Sequence, residues 1–200
     1  MKKNLFLLLT ALFCVHLSAE EKVSEYYLSY FDKVYEIEAS FPKNGKFTYY
    51  IYCPSKESSH NQCGFYIESK ELETFISCLR SIEPKFEEWS ATAMSNRVTN
   101  YDKDFDVNFK RVGTFFLYGS KWCFSGTKFA PYFRVTEKGD CLVVFNVGKM
   151  TASSNQFMHH KGFMIAFKSI KEIEDFISAL SPDNVLKKEE ERANKDELFK

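Results

Sequence analysis

Gly64-Phe65-Tyr66-Ile67-Glu68 leads into Glu71-Leu72-Glu73-Thr74-Phe75-Ile76-Ser77-Cys78-Leu79, and Gly162-Phe163-Met164-Ile165-Ala166 leads into Glu172-Ile173-Glu174-Asp175-Phe176-Ile177-Ser178-Ala179-Leu180. In each, a short apolar run after a glycine gives way to apolar residues three and four apart, which reads as a strand followed by an amphipathic helix. Leu72, Phe75, Ile76, Leu79 and Ile82 form one stripe, and Ile170, Ile173, Phe176, Ile177 and Leu180 the other. A one-sided stripe must press on something apolar, most simply a sheet.

The likeness extends upstream. Asn44-Gly45-Lys46 precedes residues 47–53, and Lys138-Gly139-Asp140 precedes residues 141–147. Each copy therefore reads as a hairpin with a glycine turn, a long loop, a third strand and a helix. Alternation puts Phe47, Tyr49, Ile51 and Cys53 on one strand face, matched by Cys141, Val143, Phe145 and Val147. The expected fold class is α+β: an antiparallel sheet packed by two equivalent helices, in two related strand-strand-strand-helix halves. The halves span about 33–96 and 130–185 of a single domain covering 20–185, followed by a charged tail at 186–200. Between them lie a helical stretch at 85–96, a strand at 104–111, a hairpin turning at Gly119-Ser120 and a strand at 129–135.

The opening Met1-Lys2-Lys3-Asn4, the apolar run 5–17 and the small pair Ser18-Ala19 have the form of a secretory signal peptide. The run is too short for a stable membrane span, and a lipid anchor on Cys14 would want a small residue where Phe13 stands. Cleavage after Ala19 would start the mature chain at Glu20 in the periplasm, at the cell surface or outside the cell, where disulfides are permitted. It removes two of the 27 basic residues and none of the 27 acidic ones. The slightly acidic remainder offers nothing to hold a phosphate backbone, so nucleic acid is not an expected partner, and no membrane span follows the signal.

Five cysteines remain after cleavage, so a monomer cannot pair them all. Pairing Cys53 with Cys63 places Ile51 opposite Phe65 and Tyr49 opposite Ile67, a register that keeps the apolar face intact. Facing Cα atoms in such a pair sit roughly 4.5–5.5 Å apart, within disulfide reach, and this bridge is the expected one. Cys78 stands where the other copy has Ala179 and reads as a packing residue beneath the first helix. His60, His159 and His160 fall in the long loops before the third strands, where convergence could offer zinc ligands. Adjacent residues such as His159 and His160 seldom aim at one ion, and polar loop residues in water are the plainer reading. Asp102, Asp104, Asp106 and Asn108 resemble the start of a calcium loop, but Val107 stands where glycine is needed and Gly113 where the bidentate glutamate is needed. An amphipathic strand explains them better. No cofactor or metal is expected.

Tyr50 and Tyr52 lie on the strand face opposite Tyr49 and Ile51. A second packed layer is the ordinary way to cover such rings, because exposed apolar patches are uncommon on monomers. Left uncovered, they form an aromatic platform suited to glycan or protein recognition. The export signal, the aromatic strands and Lys85-Phe86-Glu87-Glu88-Trp89 after the first helix resemble small exported proteins of unknown function from gut-type Bacteroidetes, a resemblance that implies no activity. No nucleophile elbow, zinc-protease signature, phosphate loop or dinucleotide fingerprint is present. The expected function is non-enzymatic binding of a protein or glycan ligand, with Tyr50, Tyr52, His60, His159 and His160 as candidate binding residues. The alternative is a secreted hydrolase using Cys63 or Cys123 with a loop histidine.

Overall fold

Asn44 and Gly45 both take positive φ, 54° and 71°, while Lys43 and Lys46 pair across them. This is the tight-turn geometry that Asn-Gly favours between antiparallel strands. The computed structural model describes residues 20–57 and 62–199. The signal segment at 1–19 and His60 lie outside the described residues.

In chain order the elements are β1 (Glu21–Leu28), β2 (Lys33–Ala39), β3 (Thr48–Tyr52), β4 (Cys63–Glu68), α1 (Ser69–Arg80), α2 (Glu83–Ser95), β5 (Tyr101–Asp104) and β6 (Arg111–Tyr118). There follow β7 (Lys121–Lys128), β8 (Tyr132–Val135), β9 (Cys141–Val147), β10 (Met150–Ala152), β11 (Asn155–His160), β12 (Phe163–Phe167), α3 (Ile170–Ala179) and α4 (Pro182–Glu197). The protein is α+β. A six-stranded sheet runs β1-β2-β3-β4-β6-β7, a four-stranded sheet runs β12-β9-β8-β5, and β10 and β11 form a separate hairpin. Every pairing among them is antiparallel.

The two related halves are visible as β2-β3-β4-α1 and β8-β9-β12-α3, with the same neighbours in each. Ile51 faces Phe65 and Tyr49 faces Ile67, as the alternation requires. In the second half Val147 faces Phe163 and Phe145 faces Ile165, a register offset by two residues from the first. An even offset leaves the same residues on the inner face, because the side-chain period of a strand is two. Leu72, Phe75 and Leu79 of α1 are buried, as are Ile173, Phe176 and Ile177 of α3. Phenylalanine rings join the halves: Phe65 meets Phe129 at 5.0 Å, and Phe129 meets Phe145 at 5.4 Å. The ladders also touch directly, since Met164 N–H donates to the Pro54 carbonyl and Lys56 N–H to the Gly162 carbonyl.

Four expectations are corrected. Cys53 and Cys63 face each other in the expected register, but both are free thiols. Cys53 N–H donates to the Cys63 carbonyl at 2.9 Å, so the two face each other across the ladder without their sulfurs bonding. Each thiol instead turns to a backbone carbonyl, Cys53 to Ile51 and Cys63 to Cys53. Cys78 is half-buried rather than sealed beneath α1. The strand expected at 104–111 stops at Asp104, because residues 105–110 cross from one sheet to the other with no neighbouring strand, pinned by buried Phe105 and Phe109. The segment carrying His159 and His160 is strand β11, not loop. Among the described residues no helix is long and apolar enough to cross a membrane.

Candidate functional site

The outward faces of β3, β4, β6 and β7 carry Tyr50, Tyr52, Tyr66, Phe115, Trp122 and Phe124. Pairing order alone gathers them, because β6 docks beside β4 and brings Phe115 opposite Gly64. Two glycines let the rings lie close to the sheet. A Cβ on Gly113 would fall 1.9 Å from Tyr66 Cζ, and one on Gly64 would fall 2.8 Å from Phe115 Cζ. Phe115 fills the floor and is 2% exposed, while Trp122 and Phe124 are 40% and 47% exposed. Among the described residues the expected second layer does not cover Trp122 and Phe124.

The aromatic contacts are steep. Tyr52 meets Phe115 at 5.2 Å and 81°, Phe115 meets Trp122 at 5.7 Å and 70°, and Tyr52 meets Trp122 at 6.4 Å and 66°. They enclose a cavity of about 130 Å³ that Glu20 and Glu38 also line. Tyr52 Oη donates to Glu38 Oε2 at 3.0 Å. Burial raises the Glu38 carboxyl, with the charges of Glu20 and Glu36 adding to it, and the Tyr52 hydrogen bond opposes the rise. Glu38 is therefore a half-buried carboxylate without a cationic neighbour strong enough to hold its pKa down.

A second cluster lies where the halves meet. Ser55 Oγ stands 3.2 Å from His160 Nε2, Glu57 Oε2 stands 3.8 Å from the same nitrogen, and Glu57 Oε1 accepts from Lys161 N–H. The residue types imitate a catalytic triad, but the geometry does not. Gly162 N–H donates to His160 Nδ1 at 2.9 Å, so the proton of the neutral ring sits on Nε2 and points toward Ser55 and Glu57. An imidazole in that tautomer has no lone pair with which to deprotonate the serine. Burial lowers the His160 pKa, with Glu57 pulling against it. Cys63, which lines a cavity of about 580 Å³ with Ser55 and Glu57, is pushed up to about 12 by burial. A thiol so held is not a nucleophile near neutrality.

The remaining candidates separate. His159 is exposed, its Nδ1 3.2 Å from the Phe157 carbonyl, and it points away from His160 as neighbours on a strand must. Both carboxylate oxygens of Asp102 take hydrogen bonds from Arg134, and among the described residues no cluster of three or more His, Cys, Asp or Glu could hold a metal ion. No protein-family profile, curated protein or solved structure matches the chain. Of the aromatic site, the sequence pointed to Tyr50 and Tyr52. Tyr66, Phe115, Trp122, Phe124 and Glu38 escaped it, although the alternation of Phe115 and Leu117 opposite Trp122 and Phe124 in a hairpin was a usable signal.

Proposed function

We propose that the chain is an exported, non-enzymatic binding module whose ligand, a protein or a glycan, docks on the outer aromatic face of the six-stranded sheet. The observation that carries this reading is the gathering of six rings on one sheet face with Trp122 and Phe124 open to solvent. Large rings with polar tips are the side chains that most often dominate binding energy. Export rests on the signal-like residues 1–19. The direct test is a panel of immobilised glycans and purified extracellular proteins, probed with the wild type and with Trp122→Ala and Tyr50→Ala. Binding that falls on the order of tenfold or more in both variants, with an unchanged circular dichroism spectrum, supports the face as the site. Binding indifferent to both substitutions places the ligand elsewhere.

The competing reading, a hydrolase built on Cys63, draws on the convergence of Cys63, Ser55, Glu57 and His160. It requires a thiolate at Cys63 and a free lone pair on His160 Nε2. Iodoacetamide at pH 7 is expected to leave Cys53 and Cys63 unlabelled in the native protein and to reach half-buried Cys78 and Cys141 before them. Rapid native labelling of Cys63, read by peptide mass mapping, would favour the hydrolase.

A further inference from the structure

The aromatic cavity has walls. Tyr52 and Trp122 stand at 66° to each other and at 81° and 70° to Phe115 on the floor, so the three rings form a cup rather than the coplanar shelf on which a sugar ring stacks. Tyr50 closes on Phe115 at 5.8 Å and 68°. Among the described residues every ionisable side chain lining the cavity apart from the tyrosines is a carboxylate, Glu20 and Glu38, and no lysine or arginine lines it. The nearest basic residue in register, Lys22 opposite Glu38, is spoken for: its ammonium lies 2.7 Å from Glu25 and 3.1 Å from Glu36.

From this geometry we infer that the pocket binds a substituted ammonium cation, a trimethylammonium group being the best match, with the rings of Tyr50, Tyr52 and Trp122 around it and Glu38 as its counter-charge. This rests on the reading of the outer face as the binding site and names the chemistry of the ligand. Aromatic faces carry partial negative charge, and several rings set at angles surround a bulky, weakly hydrated cation better than one ring can. A half-buried carboxylate beside them has lost part of its hydration, and a cation that enters restores a compensating charge. An anion is repelled by both carboxylates, and a neutral sugar, though its hydroxyls can donate to them, brings no charge to offset theirs. Tyr52 Oη, by donating to Glu38, fixes the carboxylate at the pocket.

Titration of the full chain with choline chloride at constant ionic strength, followed by tryptophan fluorescence, tests this. Trp122 is one of two tryptophans, and Trp122→Phe identifies its share of the signal. Choline is expected to quench saturably, its uncharged isostere 3,3-dimethylbutan-1-ol to bind about tenfold more weakly, and Glu38→Gln to weaken choline by a similar factor. The glutamine keeps an oxygen to accept from Tyr52, so the fold is not put at risk, and Tyr50→Leu gives a second variant acting through the ring alone. Equal binding of choline and its isostere, no response to Glu38→Gln, or no choline binding overturns the inference. Phosphatidylcholine vesicles in a sedimentation arm separate a lipid headgroup from a free cation: pelleting lost in Glu38→Gln assigns the lipid, and choline binding without pelleting assigns the free cation. A cellobiose arm separates the two failures. Sugar binding that depends on Trp122, with choline inert, refutes the cation and leaves the binding face standing. Neither choline, cellobiose nor any panel ligand responding to Trp122 brings down both.

Discussion

A Cβ at Gly64 would meet the Ile51 carbonyl oxygen at 2.0 Å, whereas one at Gly113 would meet only the far end of the Tyr66 ring. The two glycines therefore serve one face by different means. The Gly64 obstacle is backbone in the β3-β4 ladder, which cannot move without losing its pairing. The Gly113 obstacle is a half-buried side chain that can swing outward. Gly64→Ala is expected to destabilise by about 2–4 kcal/mol and Gly113→Ala by about 1 kcal/mol or less, read from urea denaturation midpoints. The same Gly113→Ala change lifts Tyr66 away from Tyr50, which it meets at 5.9 Å, and should disturb ligand binding more than it disturbs the fold. An order reversed between the two variants would mean that the Tyr66 ring, not the ladder, is the rigid partner.

The helices of the two halves are equivalent in position but not in how they are held. Ser169 caps α3, its side chain accepting from Glu172 N–H, while Glu172 accepts in return from Lys168 N–H. Glu68 precedes α1 with no such side-chain bond. Between the helices Arg80 forks onto Glu174 at 3.0 and 3.2 Å, and Glu83 of α2 lies beside the same carboxylate. Burial, then the Glu174 carboxylate beside it, raises Glu83 to about 7. The folded protein thus keeps a proton that the unfolded chain gives up near the ordinary glutamate range. Stability from this group is fully present at low pH and is lost as pH rises from about 4.5 through 7. Glu83→Gln is expected to remove that decline, so its thermal midpoint, measured from pH 5 to pH 8, should gain on the wild type toward the alkaline end. A constant offset between the two proteins would assign the titration to another group.

At the scale of the whole molecule, the halves are joined by a short exchange between residues 54–57 and 160–164. Ser55 bridges to Phe163, Lys56 Nζ donates to the Val147 carbonyl at 2.6 Å, and His160 sits between Ser55 and the ring of Phe116. His160 is buried and its pKa is lowered by that burial, with the Glu57 carboxylate, 3.8 Å from Nε2, pulling against it. On acidification the unfolded chain takes up its proton near 6.5 while the folded one resists, so stability falls as pH drops below that value. Protonation of Nδ1 also removes the acceptor for Gly162 N–H. His160→Asn supplies an oxygen near that position without a titrating ring, and should flatten the difference in thermal midpoint between pH 7.5 and 5.5. A variant retaining the full wild-type difference would clear His160 of this role.

What the sequence determined by itself is what neighbours along the chain can settle. The periods of two and of 3.6 identified β3, β4, β9, β12 and the paired helices, and facing Cys53 with Cys63 on the apolar alternation set Ile51 against Phe65. Tyr50 and Tyr52 followed from the same alternation. The period cannot supply a hydrogen-bonding partner, and so residues 105–110, with strand-like alternation, are not a strand. Nor does facing position dictate chemistry: Cys53 and Cys63 align, yet each thiol turns to a backbone carbonyl and both stay free. The order of the sheets was decided only in three dimensions. Gly64 pairs with Phe115, and Ser55 bridges to Phe163, across long stretches of sequence whose closure depends on the sum of the core's packing rather than on any local preference. The aromatic cup depends on the first of those pairings and the His160 junction on the second, which is why the chain's order of residues held neither site in view.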